Sequence, residues 1–433
     1  MSRDDNYDDL RGSRPDVGLL DRPVVEINLM GYADPKQVGS GLRQRLYSRA
    51  FIVGDPDPEK TTSRFVYLVL DTQSGDTAVR YGILDALRDL GPEYAALYGH
   101  HNVAVTGTHS HSGPGGWLNY LLPQITSKGF DHQGFRAIVD GATLSIKRAH
   151  ESLQPGHLSV ASAKVKDGNI NRSLFAYMAN PEEERQRYNR TDKGDDGSVE
   201  KDLTLVRFQR VSDKKDIGVL TWFPTHGTSM LGNNTLITGD NKGEEYAVQR
   251  YEGASTLYGP HTLAAYMNVT LENLQYLAKE APLPPQEVSF PPDNSNRSLS
   301  FIVGVVRDAP PLFKKFGDII HDVQDYYEKG AWVTATFVGA NPRNNLRLEE
   351  TYASVDKLCQ GNWVTIRDDR DWSLVYRWRR INTLLATSEV DITWETEDWA
   401  EPGTYRLHYY GDAKALGGTI TSFEAISSTF VLG

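Results

Sequence analysis

Thr108-His109-Ser110-His111-Ser112-Gly113-Pro114-Gly115-Gly116 is the stretch of this 433-residue chain whose residue types point most directly to chemistry. In an extended segment residues i and i+2 face the same way, so the spacing directs His109 and His111 to one point. The glycines that follow let backbone N–H groups approach a ligand closely. Imidazole suits zinc, and a catalytic zinc takes three protein ligands and keeps one position open. An isolated His-x-His at a strand end is otherwise a pair of half-exposed structural histidines; the attached Gly-Pro-Gly-Gly tips the reading toward a ligand loop. A second apolar run, residues 217–224, leads into Thr225-His226-Gly227-Thr228-Ser229 and repeats the order strand, histidine, small residue. His226 is a second ligand only if the fold carries it to the first pair.

Two further segments carry polar chemistry. Arg172, within Asn169-Ile170-Asn171-Arg172-Ser173, can clamp a carbonyl or a developing oxyanion; taken alone it reads equally as a surface partner for the acidic run Glu182-Glu183-Glu184. Thr238-Gly239-Asp240-Asn241-Lys242-Gly243 lacks the glycine spacing and the Ser/Thr of a phosphate loop, which excludes nucleoside triphosphate binding at that segment. The single cysteine, Cys359, excludes internal disulfides and cysteine-based metal sites. Any metal must be held by His, Asp, Glu or Tyr.

The elements that must position these residues can be read from periodicity. FVYLVLD, residues 65–71, is a continuous apolar run that predicts a strand buried on both faces. TAVRYGILDALRDLG follows as a helix closed by Gly91. Asn102 then opens a second strand that runs into the histidine loop. Strand, helix, strand predicts a right-handed parallel crossover, with ligands gathering beyond the carboxyl ends of the strands. Past residue 281 come five prolines within APLPPQEVSFPPDNSNRS, then short aromatic and β-branched runs such as AWVTATFVG, GNWVTIRD and GTYRLHYYG. Those runs predict a β-sandwich, with its boundary near residue 284. Trp332, Trp363, Trp372, Trp378, Trp394 and Trp399 fall in it, as core or sheet-face residues or as a recognition surface.

Composition narrows the function classes. Lys and Arg number 46 against 57 Asp and Glu, a net charge of −11, with no basic cluster, so nucleic acid is a poor partner. No run reaches the ~18 apolar residues of a spanning helix. Residues 1–23 are polar and show no signal-peptide core. Five sequons, at Asn171, Asn189, Asn233, Asn268 and Asn296, are what an exported protein would offer for glycosylation, and they leave the compartment open.

Taken together, NLMGYADPKQVGSGLRQRLYSRAFIV, GTHSHSGPGGW, NINRSLFAYMANPEEER, WFPTHGTSM, GDNKG and QRYEGASTLYGPHTLAAY resemble the neutral/alkaline non-lysosomal ceramidase family. FVGANPRNN and GTYRLHYYG resemble its C-terminal immunoglobulin-like domain. The resemblance implies three parts: a polar extension, 1–23; an α/β zinc domain, 24–283; and an all-β immunoglobulin-like sandwich, 284–433. It implies a secreted zinc amidase that cleaves ceramide, at or near a membrane surface, into sphingosine and a fatty acid. On this match His109 and His226 are zinc ligands, His111 is the second active-site histidine of the motif, and Arg172 is the arginine of the Ile-Asn-Arg-Ser motif.

The rest of the family's site has no counterpart. Between GDNxG and EEY the family carries a long stretch with its serine nucleophile and a glutamate and a tyrosine zinc ligand. Here Gly243 runs directly into Glu244-Glu245-Tyr246, leaving the α/β domain incomplete and those three residues as the nearest substitute ligands. Loss of that stretch predicts impaired catalysis and exposed apolar sheet. A catalytically inactive lipid- or protein-binding product of a spliced or mis-joined gene is the alternative, and a metal-dependent hydrolase of another substrate class the third.

Overall fold

The computed structural model describes residues 17–19, 25–55, 64–165, 169, 171–186, 198–242, 298–302, 304–348 and 350–433. The Gly243–Glu244 junction, the proline-rich segment, the 283/284 boundary and three of the sequons (Asn189, Asn268 and Asn296) lie outside these residues. Strand outweighs helix among the described residues, which form two compact units. One takes the chain up to Leu153, resumes at Met230 and includes everything from Ser298 onward; the other runs from Gln154 to Ser229.

In the first unit, strands Val17–Leu19, Tyr47–Gly54, Arg64–Leu70 and Val103–Gly107 lie side by side in that order. All are antiparallel except the last pair, which is parallel with Val66 opposite Val103. The helix between them, Thr77–Asp89, starts where the Asp76 carboxylate accepts the Ala78 N–H at 2.8 Å and stops short of Gly91 at φ +134°. The parallel pair joined through a helix is the arrangement the sequence predicts. Burial of the Arg64–Leu70 strand differs from expectation, because it alternates. Val66, Leu68 and Leu70 are buried, whereas Phe65 is 46% exposed. The reason is one-sided cover. Helix His132–Glu151 lies on strands Val17–Leu19 and Tyr47–Gly54, and Thr77–Asp89 packs on that helix.

Two further sheets share one core. Trp394 packs on Tyr405 with ring centroids 5.1 Å apart, and Tyr409 meets Phe337 at 5.7 Å and Tyr376 at 6.2 Å. One sheet has six strands from Tyr326–Tyr327 to Phe430–Leu432, all beyond residue 320. The other is not confined to the C-terminal region. Its order runs Ile319–His321, Trp332–Gly339, Thr387–Glu395, Leu374–Asn382, then Val38–Leu42, Val25–Met30 and Gly113–Pro114. The sandwich predicted from residue 284 onward therefore takes N-terminal strands into one of its sheets. The seam is Leu42 opposite Tyr376 and Gly41 opposite Arg377. Gly41 is required there, since a Cβ would overlap the Tyr376 carbonyl and lie 2.9 Å from the Arg377 Cα.

Ion pairs reinforce the seam. Arg43 holds Glu395 through two contacts of 2.6 Å and stacks on Trp372, 4.5 Å from the ring. Arg45 reaches Asp369 at 2.6 Å with both side chains almost fully buried. The tryptophans divide accordingly. Trp378 and Trp394 are buried, Trp332 and Trp399 are exposed, and Arg406 and Arg367 cover Trp363 and Trp399.

The second unit is a three-stranded antiparallel sheet, Gly156–Lys164, Asp202–Arg210 and Asp216–Trp222, with the second in the middle. Leu158, Val160, Val206, Phe208, Leu220 and Trp222 share one face by register. Among the described residues of this unit no apolar side chain is fully buried.

Asp356, on strand Ala353–Cys359, gives the fold a measurable acid response. Burial pushes its pKa up, but hydrogen bonds from His408, Thr365 at 2.9 Å, Ser354 at 3.0 Å and Arg406 at 3.2 Å outweigh it and hold the carboxyl at about 2. A pKa depressed in the fold stabilises above the ordinary value of 3.8 and loses that stabilisation as pH falls toward 2. Urea unfolding should therefore show a midpoint that drops between pH 4 and pH 2, and Asp356→Asn should flatten that drop while costing about 1–3 kcal/mol at pH 7. An equal drop in the variant would remove Asp356 from the account.

Candidate metal centre

The histidine loop begins where two parallel strands end. Thr108 N–H donates to the Leu70 carbonyl at 2.9 Å and His109 N–H to that of Thr72 at 3.0 Å, so the exit of Arg64–Leu70 anchors the exit of Val103–Gly107. The approach depends on Gly107, whose Cβ would lie 2.8 Å from the Thr72 carbonyl. Asp71 braces the same corner, accepting from Tyr47 N–H at 3.0 Å and Arg49 at 2.7 Å.

The two histidines do not converge through the pleat of a strand. His109 has φ +66°, a left-handed conformation that costs a non-glycine residue about 1–2 kcal/mol. The turn there brings the His109 and His111 rings edge to face, with centroids 4.9 Å apart. His109 Nδ1 lies 2.8 Å from the Gln73 carbonyl oxygen. Gln73 Nε2 lies 3.3 Å from the same nitrogen, but the nearer carbonyl only accepts, which favours the proton on Nδ1 and leaves Nε2 the lone pair a metal needs.

His111 is buried between His109 and the end of strand Val25–Met30. Tyr32 meets its ring edge on at 4.7 Å, and Gly31, at φ +135°, lies against it. A Cβ on Gly31 would stand 2.6 Å from His111 Nδ1. Strand pairing fixes this contact, with Leu29 opposite Pro114 and Met30 opposite Gly113.

The loop is tied from beneath by residues 234–241. Ser110 Oγ donates to the Thr238 carbonyl at 3.0 Å, and Thr238 N–H donates to that of Ser112 at 3.1 Å. Asp240, almost fully buried at φ +57°, accepts from Met230 N–H at 3.2 Å, Asn241 N–H at 2.7 Å and Ser112 Oγ at 3.4 Å. Sequence reasoning tested that segment as a phosphate loop, which it excluded, and took it as one of the stretches that carry the resemblance, without a role for Asp240 beneath the histidines. Gly31, Tyr32 and Gln73 were likewise outside the predicted site, although Gly31 and Tyr32 belong to a stretch that carried the resemblance.

His226 follows strand Asp216–Trp222 by four positions and is half-buried. His109 and His111 sit side by side in the first unit as two imidazoles able to offer nitrogen to a metal ion, and His226 follows the last strand of the second unit. Imidazole nitrogen suits zinc, and the Nε2 lone pair of His109 fits a ligand role. Arg172 stands in an exposed turn ahead of the short helix Leu174–Met178. Asn171 shapes that turn, its side chain accepting from Ser173 N–H at 2.8 Å and donating to the Ser198 carbonyl at 2.9 Å.

Comparison with known proteins places these features. The family profile "Neutral/alkaline non-lysosomal ceramidase, N-terminal" matches residues 17–243 and 244–268, and the corresponding C-terminal profile matches 270–432. A neutral ceramidase of Oryza sativa subsp. japonica is 23% identical over 756 aligned positions, covering 95% of this chain and 93% of the relative. Since this chain has 433 residues, at least 323 of those positions (756 minus 433) face none of them. Neutral ceramidase 1 of Arabidopsis thaliana is 40% identical over 222 residues, 51% of this chain and 26% of the relative. The crystal structure of a neutral ceramidase from Pseudomonas aeruginosa superposes with a TM-score of 0.83 at 20% identity, covering 96% of this chain and 98% of that one. A ceramidase complexed with C2 superposes at 0.84 with 21% identity, again over 96% and 98%. Both structures share the fold of this chain.

Gly31→Ala tests the seating of His111. The added methyl has no room beside the ring and the backbone there disfavours an L side chain. The His111 imidazole signals in an NMR spectrum of the folded chain should shift, because the ring must move to make room. Unchanged His111 signals would show that the ring is seated by other contacts.

Proposed function

The chain belongs to the neutral/alkaline non-lysosomal ceramidase family, and from that premise we propose that its histidine loop is the remnant of a zinc amidase site for ceramide, yielding sphingosine and a fatty acid. The observation that carries the reading is the adjacent pair His109 and His111, set with His226 in segments that match the family. His109 and His226 would hold the ion. When bound, zinc supplies Lewis acidity that polarises the amide carbonyl and acidifies a nucleophile. His109 contributes through Nε2 because Gln73 occupies its other nitrogen. His111, shielded by Gly31 and Tyr32, moves a proton to or from the reacting amide. Arg172 offsets negative charge on the substrate oxygen.

The same reading takes the α/β zinc domain to be internally shortened after Gly243 and the C-terminal strands to be the family's immunoglobulin-like domain. Three observations support the shortening: the family match divides between 243 and 244, the alignment with the rice relative holds positions this chain does not fill, and among the described residues of the second unit no apolar side chain is fully buried. The family's serine has no counterpart here, so hydrolysis is impaired. Export from the cell belongs to this reading as well, supported by the sequon at the exposed Asn233. The division of the family match favours a second reading, a product that binds lipid or protein without turning it over.

Two measurements separate these. The purified chain should take up about one zinc, lose it on His109→Ala or His226→Ala, and release sphingosine from ceramide far more slowly than an intact relative. Zinc uptake unaffected by either variant would sink the assigned centre. Sequencing the message across the codons for Gly243 and Glu244 decides between the readings. An in-frame insert carrying serine, glutamate and tyrosine motifs makes the full product an ordinary zinc ceramidase, and contiguous codons leave the binding-only product.

A further inference from the structure

Immediately after the histidine loop, the seven-residue helix Leu121–Ser127 turns its apolar side chains outward. Leu121 is 76% exposed, Leu122 78% and Ile125 65%. Tyr120 begins the helix half in solvent, its hydroxyl 2.6 Å from Thr77 Oγ1. Residues 298–302 lie alongside. Phe130 N–H donates to the Leu299 carbonyl at 3.0 Å, Phe301 N–H to that of Lys128 at 2.9 Å, and Gln124 Nε2 to Ser298 Oγ at 2.9 Å. This adds Leu299 and Phe301, at 71% and 73% exposure, to the same surface.

We propose that this patch is a docking surface for a neutral phospholipid bilayer, set beside the histidine loop. Its charge pattern selects the occupant. From Trp117 to Phe130 and from Ser298 to Ile302 the only charged side chains are Lys128 and the family of carboxylates is absent, in a chain whose net charge is −11. A zwitterionic or weakly anionic headgroup layer tolerates that pattern, with Tyr120 and Lys128 at the level of the headgroups and the aliphatic groups below them. Size argues against a second protein. Six such side chains expose on the order of a few hundred Å², short of the roughly 800 Å² per partner of a stable protein interface. The choice of lipid rests in part on the ceramide reading, since a substrate with two hydrocarbon chains resides in a bilayer.

Co-sedimentation with ceramide-free phosphatidylcholine vesicles tests the surface apart from the chemistry. The chain should pellet with vesicles in the presence of a metal chelator, and the triple variant Leu121→Gln, Leu122→Gln, Ile125→Gln should lose at least tenfold in bound fraction with an unchanged unfolding temperature. Leu299→Ser with Phe301→Ser, on a separate segment, should weaken binding in the same direction. Vesicle binding by the triple variant equal to that of the parent chain overturns the proposal. So does a parent chain that ignores vesicles but elutes as a dimer which the triple variant reduces to monomer, because the patch then joins two copies. Loss of zinc binding or hydrolysis with vesicle binding intact would count against the ceramidase site and leave the docking surface standing.

Discussion

The pairing of Arg45 with Asp369 is the constraint on which the first unit depends. Both side chains are withdrawn from water, so removing one would leave a buried charge uncompensated, a loss of about 3–5 kcal/mol in comparable pairs. Asp369 also accepts the Tyr352 N–H at 2.8 Å, and Arg45 reaches the Glu350 carbonyl at 3.1 Å. This knot holds residues 43–49 against 350–369, and the neighbouring seam of Leu42 with Tyr376 then follows. From that seam the sheet continues through Val38–Leu42 and Val25–Met30 to Gly113–Pro114, which is the histidine loop itself. The position of His111 is thus tied, strand by strand, to residues more than two hundred positions later.

At the loop, stability is exchanged for geometry. His109 sits in a backbone conformation that an L residue avoids, and two hydrogen bonds, from its N–H to Thr72 and from Nδ1 to Gln73, over-determine it. The same bonds select the nitrogen left for a metal. Asp240 plays the matching part below, gathering three donors onto one buried carboxylate so that Ser112 and the chain after it stay in place.

The second unit shows the opposite balance. Its first two strands pair in unbroken register and the third joins through a register shift between Asp216 and Gly218, yet Leu158 and Val160 stand half or more exposed and no apolar side chain is fully withdrawn from water among the described residues. Backbone hydrogen bonds hold a sheet together, but burial of a face is what stabilises it.

Local pattern alone determined the strand–helix–strand crossover, the glycine that closes Thr77–Asp89, the metal-suited histidines and the short strands near the C-terminus. Each of these rests on spacing or residue type within a dozen positions, the range over which side-chain periodicity and turn chemistry act. The spacing of His109 and His111 showed that they could meet, but not that a left-handed turn would bring them together. Nor could local pattern show Asp240 beneath the loop, Gly31 against His111, or N-terminal strands inside the C-terminal sandwich. Those depend on pairings across hundreds of residues, Leu42 with Tyr376 and Arg45 with Asp369, whose partners meet only after the chain has folded. Tertiary structure decided them because a buried charge, a close glycine contact and a strand register are properties of two segments together.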